Sequence, residues 1–316
     1  MTDLKDALAA ALVDLAAPLF RFAAHAPKRG TKTAAALDRH GLAIYPRHYY
    51  HPFITERDLI LSPDEARSLP GVDLDADRQL AFIESLAGRS ELAAFPETAE
   101  EAARLGAPFH IGSGSFGHGD SDLLYAIVRT HRPRLAIEIG SGDSTRVLKA
   151  AIDRTAQETP GYGCRHVCVE PYEQPWLEGF GVEVIRERVE RLDPSFFAGM
   201  AAGDILFIDS SHIIRPDGDV VFEFLELLPR LPVGAFVHIH DIYTPYHYPR
   251  EWMLDRGLLW NEQYLLEAFL SLNRDFEVVA ALKWLSSVRN DGLAALLPGF
   301  AMRPTATPGS FWIRRV

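Results

Sequence analysis

The stretch that decides the fold is a short apolar run ending in a glycine-rich turn, Leu135-Ala136-Ile137-Glu138-Ile139-Gly140-Ser141-Gly142. An apolar run of this length, bounded by turn residues, favours a buried strand. The glycines allow a tight turn and let a ligand approach the backbone. A helical pattern through Val147 and Ile152 follows. Strand, turn and helix in this order predict part of a parallel α/β sheet.

Strands and helices alternate on both sides of this turn, from about residue 110 to the end of the chain. A helix is predicted over residues 120–130 and another near residues 174–178. Six further strands are predicted, the last of them antiparallel, at residues 166–170, 182–185, 204–209, 235–241, 276–282 and 309–314. Seven strands with interleaved helices predict a doubly wound α/β domain over residues 109–316. The ligand site of such a domain lies outside the carboxyl ends of the strands.

Residues 1–108 have a different texture and are predicted to form a mainly helical and irregular accessory region, serving as a lid or a dimer surface. The first helix carries one apolar stripe at helical spacing, formed by Leu4, Leu8, Leu12, Leu15, Leu19 and Phe22. Pro18 is expected to kink or end this helix, because proline lacks the backbone N–H that continues the hydrogen-bond ladder.

Composition excludes several classes of function. A formal net charge of −11 and a pI near 5.5 argue against an electrostatic grip on nucleic acid or an anionic membrane. No uncharged apolar run approaches the ~18 residues of a membrane span, and the N-terminus lacks the basic segment of a signal peptide. The sequence therefore predicts a cytoplasmic protein with no membrane contact. The abundance of Arg and Ala is typical of a GC-rich bacterial genome.

Acidic side chains stand at the ends of three predicted strands, at Glu138, Glu170 and Asp209. Glu138 lies just inside its strand, where a carboxylate is costly to bury without a ligand or a donor partner. Glu170 offers an acceptor pair for two ribose hydroxyls. Asp209 begins the run Asp209-Ser210-Ser211-His212. A dinucleotide fingerprint would need glycine at position 145, where Thr145 stands, so the turn does not match that class of site.

This set of residues resembles the class I S-adenosylmethionine-dependent methyltransferases. The resemblance implies a seven-stranded Rossmann-like methyltransferase sheet with S-adenosylmethionine as cofactor. Glu138 is then expected near the methionine end of the cofactor and Glu170 on its ribose. The implied cofactor-binding residues are Ser115, Glu138, Gly140, Ser141, Gly142, Glu170, Asp209 and Ser210.

Longer runs of the chain resemble one bacterial subgroup of these enzymes, a family 24-like group often found beside glycan and natural-product genes. These runs include Gly71-Val72-Asp73-Leu74, Asp204-Ile205-Leu206-Phe207-Ile208-Asp209-Ser210-Ser211-His212, His238-Ile239-His240-Asp241-Ile242 and Trp260-Asn261-Glu262-Gln263-Tyr264. One departure is Ser144, which stands where the turn usually carries a third glycine. The resemblance implies O-methylation of a hydroxyl on a small molecule, a sugar or a natural product.

The chemistry is predicted to lie with His212, His240 and Asp241, at the mouths of the fourth and fifth strands. Two mechanisms stay open. In one, Asp209, His240 and Asp241 bind a divalent metal ion. Because an imidazole ligand is less suited to magnesium, this set favours manganese, iron, cobalt or zinc over magnesium. In the other, His240 or His212 is the general base, held in its tautomer by Asp241 or Asp209.

Other functions also stay open. A two-histidine, one-carboxylate set is typical of iron-dependent oxygenases, so a hydroxylase on the same fold is the first alternative. A non-catalytic cofactor-binding protein is the second. The tyrosines of residues 243–248 would either contact a sugar or phenolic acceptor or form a packed cover loop. The expected partners are a small-molecule acceptor and, for a homodimer, a second copy of the chain.

Overall fold

The computed structural model describes residues 2–26 and 28–316, and the chain divides into two compact units, Met1–Asp58 and Leu59–Val316. The first unit contains the helices α1 (Thr2–His25) and α2 (Lys32–Arg39). The second unit contains nine further helices, α3 (Ala76–Ser85), α4 (Ala99–Leu105), α5 (Asp120–His131), α6 (Asp143–Glu158), α7 (Asp219–Phe222), α8 (Glu262–Leu270), α9 (Leu282–Val288), α10 (Asn290–Leu296) and α11 (Pro298–Met302), counted among the described residues.

A seven-stranded sheet forms the centre of the second unit. Its strands are β1 (Leu135–Ile139), β2 (Arg165–Val169), β3 (Glu183–Ile185), β4 (Ile205–Ile208), β5 (Phe236–Ile239), β6 (Phe276–Ala281) and β7 (Phe311–Arg315). Their order across the sheet is β3-β2-β1-β4-β5-β7-β6, and β7 runs antiparallel to both of its neighbours. The predicted fold, a doubly wound α/β sheet with an antiparallel last strand and an N-terminal helix, is confirmed.

Alternate residues of the strands enter two separate cores, one on each face of the sheet. Ala136, Phe207 and Trp312 lie in the core that α3, α5 and α6 cover. Ile137 and Leu206, each one position away, lie in the core that α7 and α8 cover. Because the central strands are buried on both faces, their sequences are nearly continuous apolar runs, which is what made them recognisable.

The predicted boundary between accessory region and sheet domain, at residues 108 and 109, lies inside the second compact unit. Ile83 of α3 and Leu92 of the short 3-10 helix Arg89–Ala94 are fully buried in the core beside α5. These segments therefore belong to the packing of the sheet. Their polar composition obscured this, because only a few side chains in each turn face the core.

The helix predicted near residues 174–178 is wrong, and the chain forms only a short 3-10 helix at Leu177–Gly179. Gln174 adopts a left-handed backbone conformation with φ of 57°. Pro175 follows it, and a proline disfavours the α conformation in the residue before it. The segment is therefore a loop at the carboxyl end of β2.

The prediction that Pro18 ends the first helix is also wrong, since α1 continues through it to His25, and its alternative, a kink at Pro18, stays a prediction. Proline removes only one backbone donor, and the residues on either side keep theirs. By length and composition Leu4–His25 is apolar enough to cross a membrane, with a mean hydropathy of 1.7 and 11% of the segment buried. The prediction from sequence had required an apolar run without any charged residue, and Asp14 interrupts such a run in this helix. A cytoplasmic location without membrane contact stays a prediction.

Candidate active site

The carboxyl ends of β1, β2 and β4 border a cavity of about 990 Å³. Seven of the eight residues predicted to bind the cofactor line it, namely Ser115, Gly140, Ser141, Gly142, Glu170, Asp209 and Ser210. The eighth, Glu138, does not. The cavity lies where parallel α/β sheets bind their ligands, outside the carboxyl ends of the strands at the point where the strand order reverses.

The two glycines of the turn after β1 have different surroundings. Gly140 has a φ of 80°, and a Cβ built on it would collide with the carbonyl oxygen of Asp209. Glycine is therefore required there for the backbone alone. A Cβ built on Gly142 meets no atom within 4 Å, so this position faces the open cavity. The absent side chain at Gly142 leaves room for a bound molecule.

The Glu138 side chain is fully buried on the α6 side of the sheet. It accepts a hydrogen bond of 2.9 Å from the Ser144 hydroxyl and one of 2.7 Å from Nε2 of His166, and the Cys168 thiol lies 3.6 Å away. The expected contact between Glu138 and the cofactor is therefore not supported. The donor partner that a buried carboxylate needs is present in the protein itself, and Ser144, in place of a third glycine, supplies part of it.

Glu170 lies at the end of β2 and borders the cavity. Its Oε1 accepts hydrogen bonds of 2.9 Å from the backbone N–H groups of Tyr172 and Glu173, and its Oε2 lies 3.4 Å from the Ser141 nitrogen. The first oxygen is thus used by the loop after β2, which leaves Oε2 as the freer acceptor. The nearby Ser141 hydroxyl is buried and has no hydrogen-bond partner among the described residues. A polar ligand in the cavity would satisfy both groups.

Asp209, His212 and Asp241 form a cluster at the mouths of β4 and β5. One ligand-capable atom from each lies within 4.8 Å of the other two. Nε2 of His212 is 3.2 Å from Oδ1 of Asp209 and 3.9 Å from Oδ2 of Asp241. His212 and Asp241 both adopt left-handed backbone conformations, with φ of 59° and 54°. Non-glycine residues adopt this conformation at an energetic cost, and such strain concentrates at functional sites.

Glu262 completes the surroundings of His212, a role that was not predicted from the sequence. Its fully buried carboxylate accepts a hydrogen bond of 2.8 Å from Nδ1 of His212, and the N–H groups of Asn261 and Glu262 donate to the His212 carbonyl. The residue stands in the run 260–264, which contributed to the resemblance without any assigned chemistry. An acidic residue in the first turn of a helix is ordinarily explained by the helix dipole, so its sequence position alone did not indicate a histidine partner.

His240, predicted as a metal ligand and catalytic residue, lies beside this cluster, with its Nε2 3.8 Å from Oδ1 of Asp241. It is buried, and its Nε2–H donates to the carbonyl of Ser115 at 3.2 Å beneath the ring of Phe116. The three side chains that lie close enough together to share one ion are Asp209, His212 and Asp241, a set with His212 where the prediction had His240. His240 directly follows the last residue of β5 and contacts the Ser115 carbonyl. At Asp241 the backbone becomes left-handed, and the Asp241 side chain lies next to Asp209 and His212, which follow β4.

The charges of the cluster are strongly coupled. Burial disfavours a charged His212, but its hydrogen bonds to Asp209 and Glu262 outweigh burial and raise its pKa well above the ordinary value. Burial likewise opposes ionisation of Asp209, yet His240 and His212 hold the pKa of Asp209 at about 2. Burial raises the pKa of Asp241 despite the proximity of His240. A protonated His212 therefore supplies positive charge beside the carboxylates of Asp209 and Asp241.

The segment after Asp241 is a loop of buried tyrosines that packs against the start of α8. Tyr243, Tyr246 and Tyr248 are all buried, and their loop is fixed by Gln263. The Gln263 side chain accepts from the Tyr243 N–H and donates to the Tyr246 carbonyl, and its N–H donates to the Tyr248 hydroxyl. Of the two functions considered for these tyrosines, the structure supports cover rather than direct contact with an acceptor.

Comparison with known proteins agrees with this geometry. Residues 137–242 match a family model described as a methyltransferase domain. That segment contains the turn after β1, Glu170 and all three residues of the Asp209–His212–Asp241 cluster. The match supports S-adenosylmethionine-dependent methyl transfer as the class of activity. The chain is also 25% identical over 163 residues to an uncharacterized protein of Archaeoglobus fulgidus, covering 48% of this chain and 71% of that protein.

Proposed function

We propose that the protein transfers a methyl group from S-adenosylmethionine to a hydroxyl oxygen of a small-molecule acceptor, assisted by a divalent metal ion. The observation that carries the proposal is the double position of Asp209. It lines the cavity that begins at the glycine turn, and it also belongs to the cluster with His212 and Asp241. Cofactor and acceptor-activating group would therefore share one wall of the same cavity.

The residues around the turn fit S-adenosylmethionine. Oε2 of Glu170 and the unpaired Ser141 hydroxyl offer polar partners, and Gly142 leaves open space beside the N-terminus of the 16-residue helix α6. When bound, the cofactor supplies an electrophilic methyl group on a sulfonium sulfur. The protein must hold the acceptor in line, take up the hydroxyl proton and exclude water.

The cluster fits a divalent cation. Two carboxylates and one imidazole favour manganese, iron or zinc over magnesium, which prefers oxygen ligands alone. A bound metal lowers the pKa of a coordinated hydroxyl, which is the activation that O-methylation requires. Glu262 would orient His212 toward the metal, since metal-binding histidines usually donate their second N–H to a carboxylate or carbonyl.

The acceptor belongs to the proposal as a class: a small molecule, a sugar or a natural product bearing a hydroxyl, as the subgroup resemblance implies. The iron-dependent hydroxylase is less well supported. It needs two histidines and one carboxylate, whereas the cluster contains one histidine and two aspartates. His240, the second histidine nearby, uses Nε2 to hold the Ser115 carbonyl.

Calorimetry with S-adenosylmethionine tests the cofactor assignment. Glu170→Ala is expected to weaken binding at least tenfold, or about 1.4 kcal/mol. Glu173→Ala is the matched control, because its side chain lines the same cavity three residues further along. Unchanged affinity in Glu170→Ala, or an equal loss in both variants, would contradict the assignment of Glu170.

Manganese binding, followed by electron paramagnetic resonance, tests the metal assignment. Asp241→Asn is expected to weaken manganese binding by at least about tenfold while affinity for S-adenosylmethionine stays within a few-fold. Glu173→Gln removes a carboxylate from the cavity wall but not from the cluster, and it should bind manganese like the parent protein. Methyl transfer that survives complete chelation would eliminate the metal mechanism and leave His212 or His240 as the general base.

A further inference from the structure

We infer that α1 is a dimerisation helix, whose apolar stripe packs against the same helix of a second copy of this chain. The stripe consists of Leu4, Leu8, Leu12, Leu15, Leu19 and Phe22, which are between 57% and 80% exposed. Burial on α1 is confined to small residues outside the stripe, such as Ala23 and Ala24. Six large apolar side chains aligned on one face mark an interaction surface rather than scattered surface residues.

The spacing of the stripe favours another helix as the occupant. From Leu8 onward the residues follow one another at intervals of four, three, four and three positions, an average of 3.5. This is the repeat with which two helices keep a continuous seam in contact while they wind around each other. A helix that packs on a sheet or a lipid surface has no need of a narrow seam with this period.

The size of the surface matches what a stable pair needs. A helix of 24 residues is about 36 Å long. Its six stripe residues, each exposing on the order of 100 Å² or more, supply most of the ~800 Å² per partner of a stable interface.

The charges of α1 argue for a second copy over a membrane, although the helix is long and apolar enough to span one. Asp14 and Arg21 are exposed midway along and near the end of the helix, outside the stripe. Pairing through the stripe leaves both in water, whereas spanning would move Asp14 into hydrocarbon. Lys5 and Arg21 are outnumbered by Asp3, Asp6 and Asp14, so α1 offers no basic patch for an anionic surface.

Sedimentation velocity of the full-length protein across a range of concentrations tests this inference. The parent protein is expected to dimerise, and Leu12→Asp to raise the dissociation constant at least about 100-fold, because both copies carry the change. Val13→Asp is the matched control. Val13 is 56% exposed, against 57% for Leu12, but it points away from the stripe. It should leave the dissociation constant within about threefold.

Three results would overturn the inference: a parent protein that is monomeric at every concentration, equal weakening by the two variants, or a dimer that persists in Leu12→Asp. Circular dichroism on both variants establishes that the helix content is kept. Flotation with neutral and with anionic phospholipid vesicles tests whether the stripe binds a lipid surface instead. A monomeric parent protein that floats with vesicles would assign the stripe to lipid instead.

Discussion

Gly140 and Gly142 stand two residues apart in the turn after β1, yet a methyl group added at each meets different surroundings. At Gly140 an alanine would need a left-handed backbone and would collide with the Asp209 carbonyl. We expect Gly140→Ala to lower the free energy of unfolding by at least about 2 kcal/mol. At Gly142 the added methyl points into the cavity, so Gly142→Ala should leave stability within about 1 kcal/mol and weaken S-adenosylmethionine binding instead.

Each glycine variant is the control for the other, with urea unfolding as one measurement and calorimetry as the second. The two readouts separate a backbone requirement at Gly140 from a ligand requirement at Gly142, two positions further along the same turn. Normal cofactor binding by Gly142→Ala would show that the open space at Gly142 is not used by the cofactor. A Gly140→Ala variant of unchanged stability would mean that β1 and β4 can shift apart at the Asp209 carbonyl.

Glu262 contacts the cluster through its hydrogen bond to His212, which makes it a positioning residue. Its replacement by Gln removes the charge that fixes the Nδ1–H of His212 and keeps the size of the side chain. We expect Glu262→Gln to weaken manganese binding about 10- to 100-fold, the usual effect of losing a partner behind a metal ligand.

The control for Glu262 is Glu267→Gln, five residues along the same helix. Glu267 pairs with Arg67 and accepts from Thr244, away from His212. The Glu267→Gln variant should be less stable than the parent protein but bind manganese with the same affinity. Equal loss of affinity in both variants would indicate that the effect comes from destabilisation of α8.

At the scale of elements, Arg67 ties the loop before α3 to the cover loop and to α8. Its guanidinium binds both carboxylate oxygens of Glu267 and donates to the carbonyls of Pro245 and Tyr246. Because both charged groups are largely buried, we expect Arg67→Ala to cost about 2 to 4 kcal/mol in thermal or urea unfolding. Arg78→Ala, which breaks an exposed pair with Asp73, should cost less than about 1 kcal/mol. Similar losses in the two variants would contradict the fastening role of Arg67.

Elements buried on both faces were the ones that the sequence predicted well. The strand Leu135–Ile139 was predicted with its observed ends, because apolar residues fill it and glycines stop it. The strand predicted at 235–241 ends at Ile239, because His240 and Asp241 leave the ladder for the site. Helix predictions failed where a proline decided the outcome. Pro18 was tolerated in a long helix, whereas Pro175 kept the loop after β2 from becoming one.

In the candidate site, too, some residues could be predicted from the sequence and others could not. Residues at strand ends, such as Glu170 and Asp209, were predictable because parallel strands end at one edge of the sheet. The choice between His212 and His240 was not, since it depends on the left-handed backbone at His212 and Asp241. The alternation of side chains along a strand does not predict such a turn in the backbone after the strand. Glu262 lies 50 residues from His212, and no local pattern connects the two.

At the scale of the whole molecule, the division into two units separates the candidate active site from the proposed dimerisation helix. The residues that border the cavity, among them Ser115, Glu170 and Ser210, lie in the second unit, Leu59–Val316. The apolar stripe of α1 lies in the first unit, Met1–Asp58. Loss of the first unit should therefore affect association of the chain and leave cofactor binding intact.

A variant that lacks residues 1–58 makes this prediction measurable. We expect it to fold, to bind S-adenosylmethionine within about threefold of the full chain, and to sediment as a monomer. The full-length Leu12→Asp variant is the control, because it removes the stripe contact and keeps the first unit. If both variants are monomeric and bind the cofactor normally, association depends on α1 and methyl-donor binding on the sheet. A truncated chain that folds but binds the cofactor tenfold more weakly would show that residues 1–58 contribute to the cavity, in agreement with a lid rather than a dimer surface.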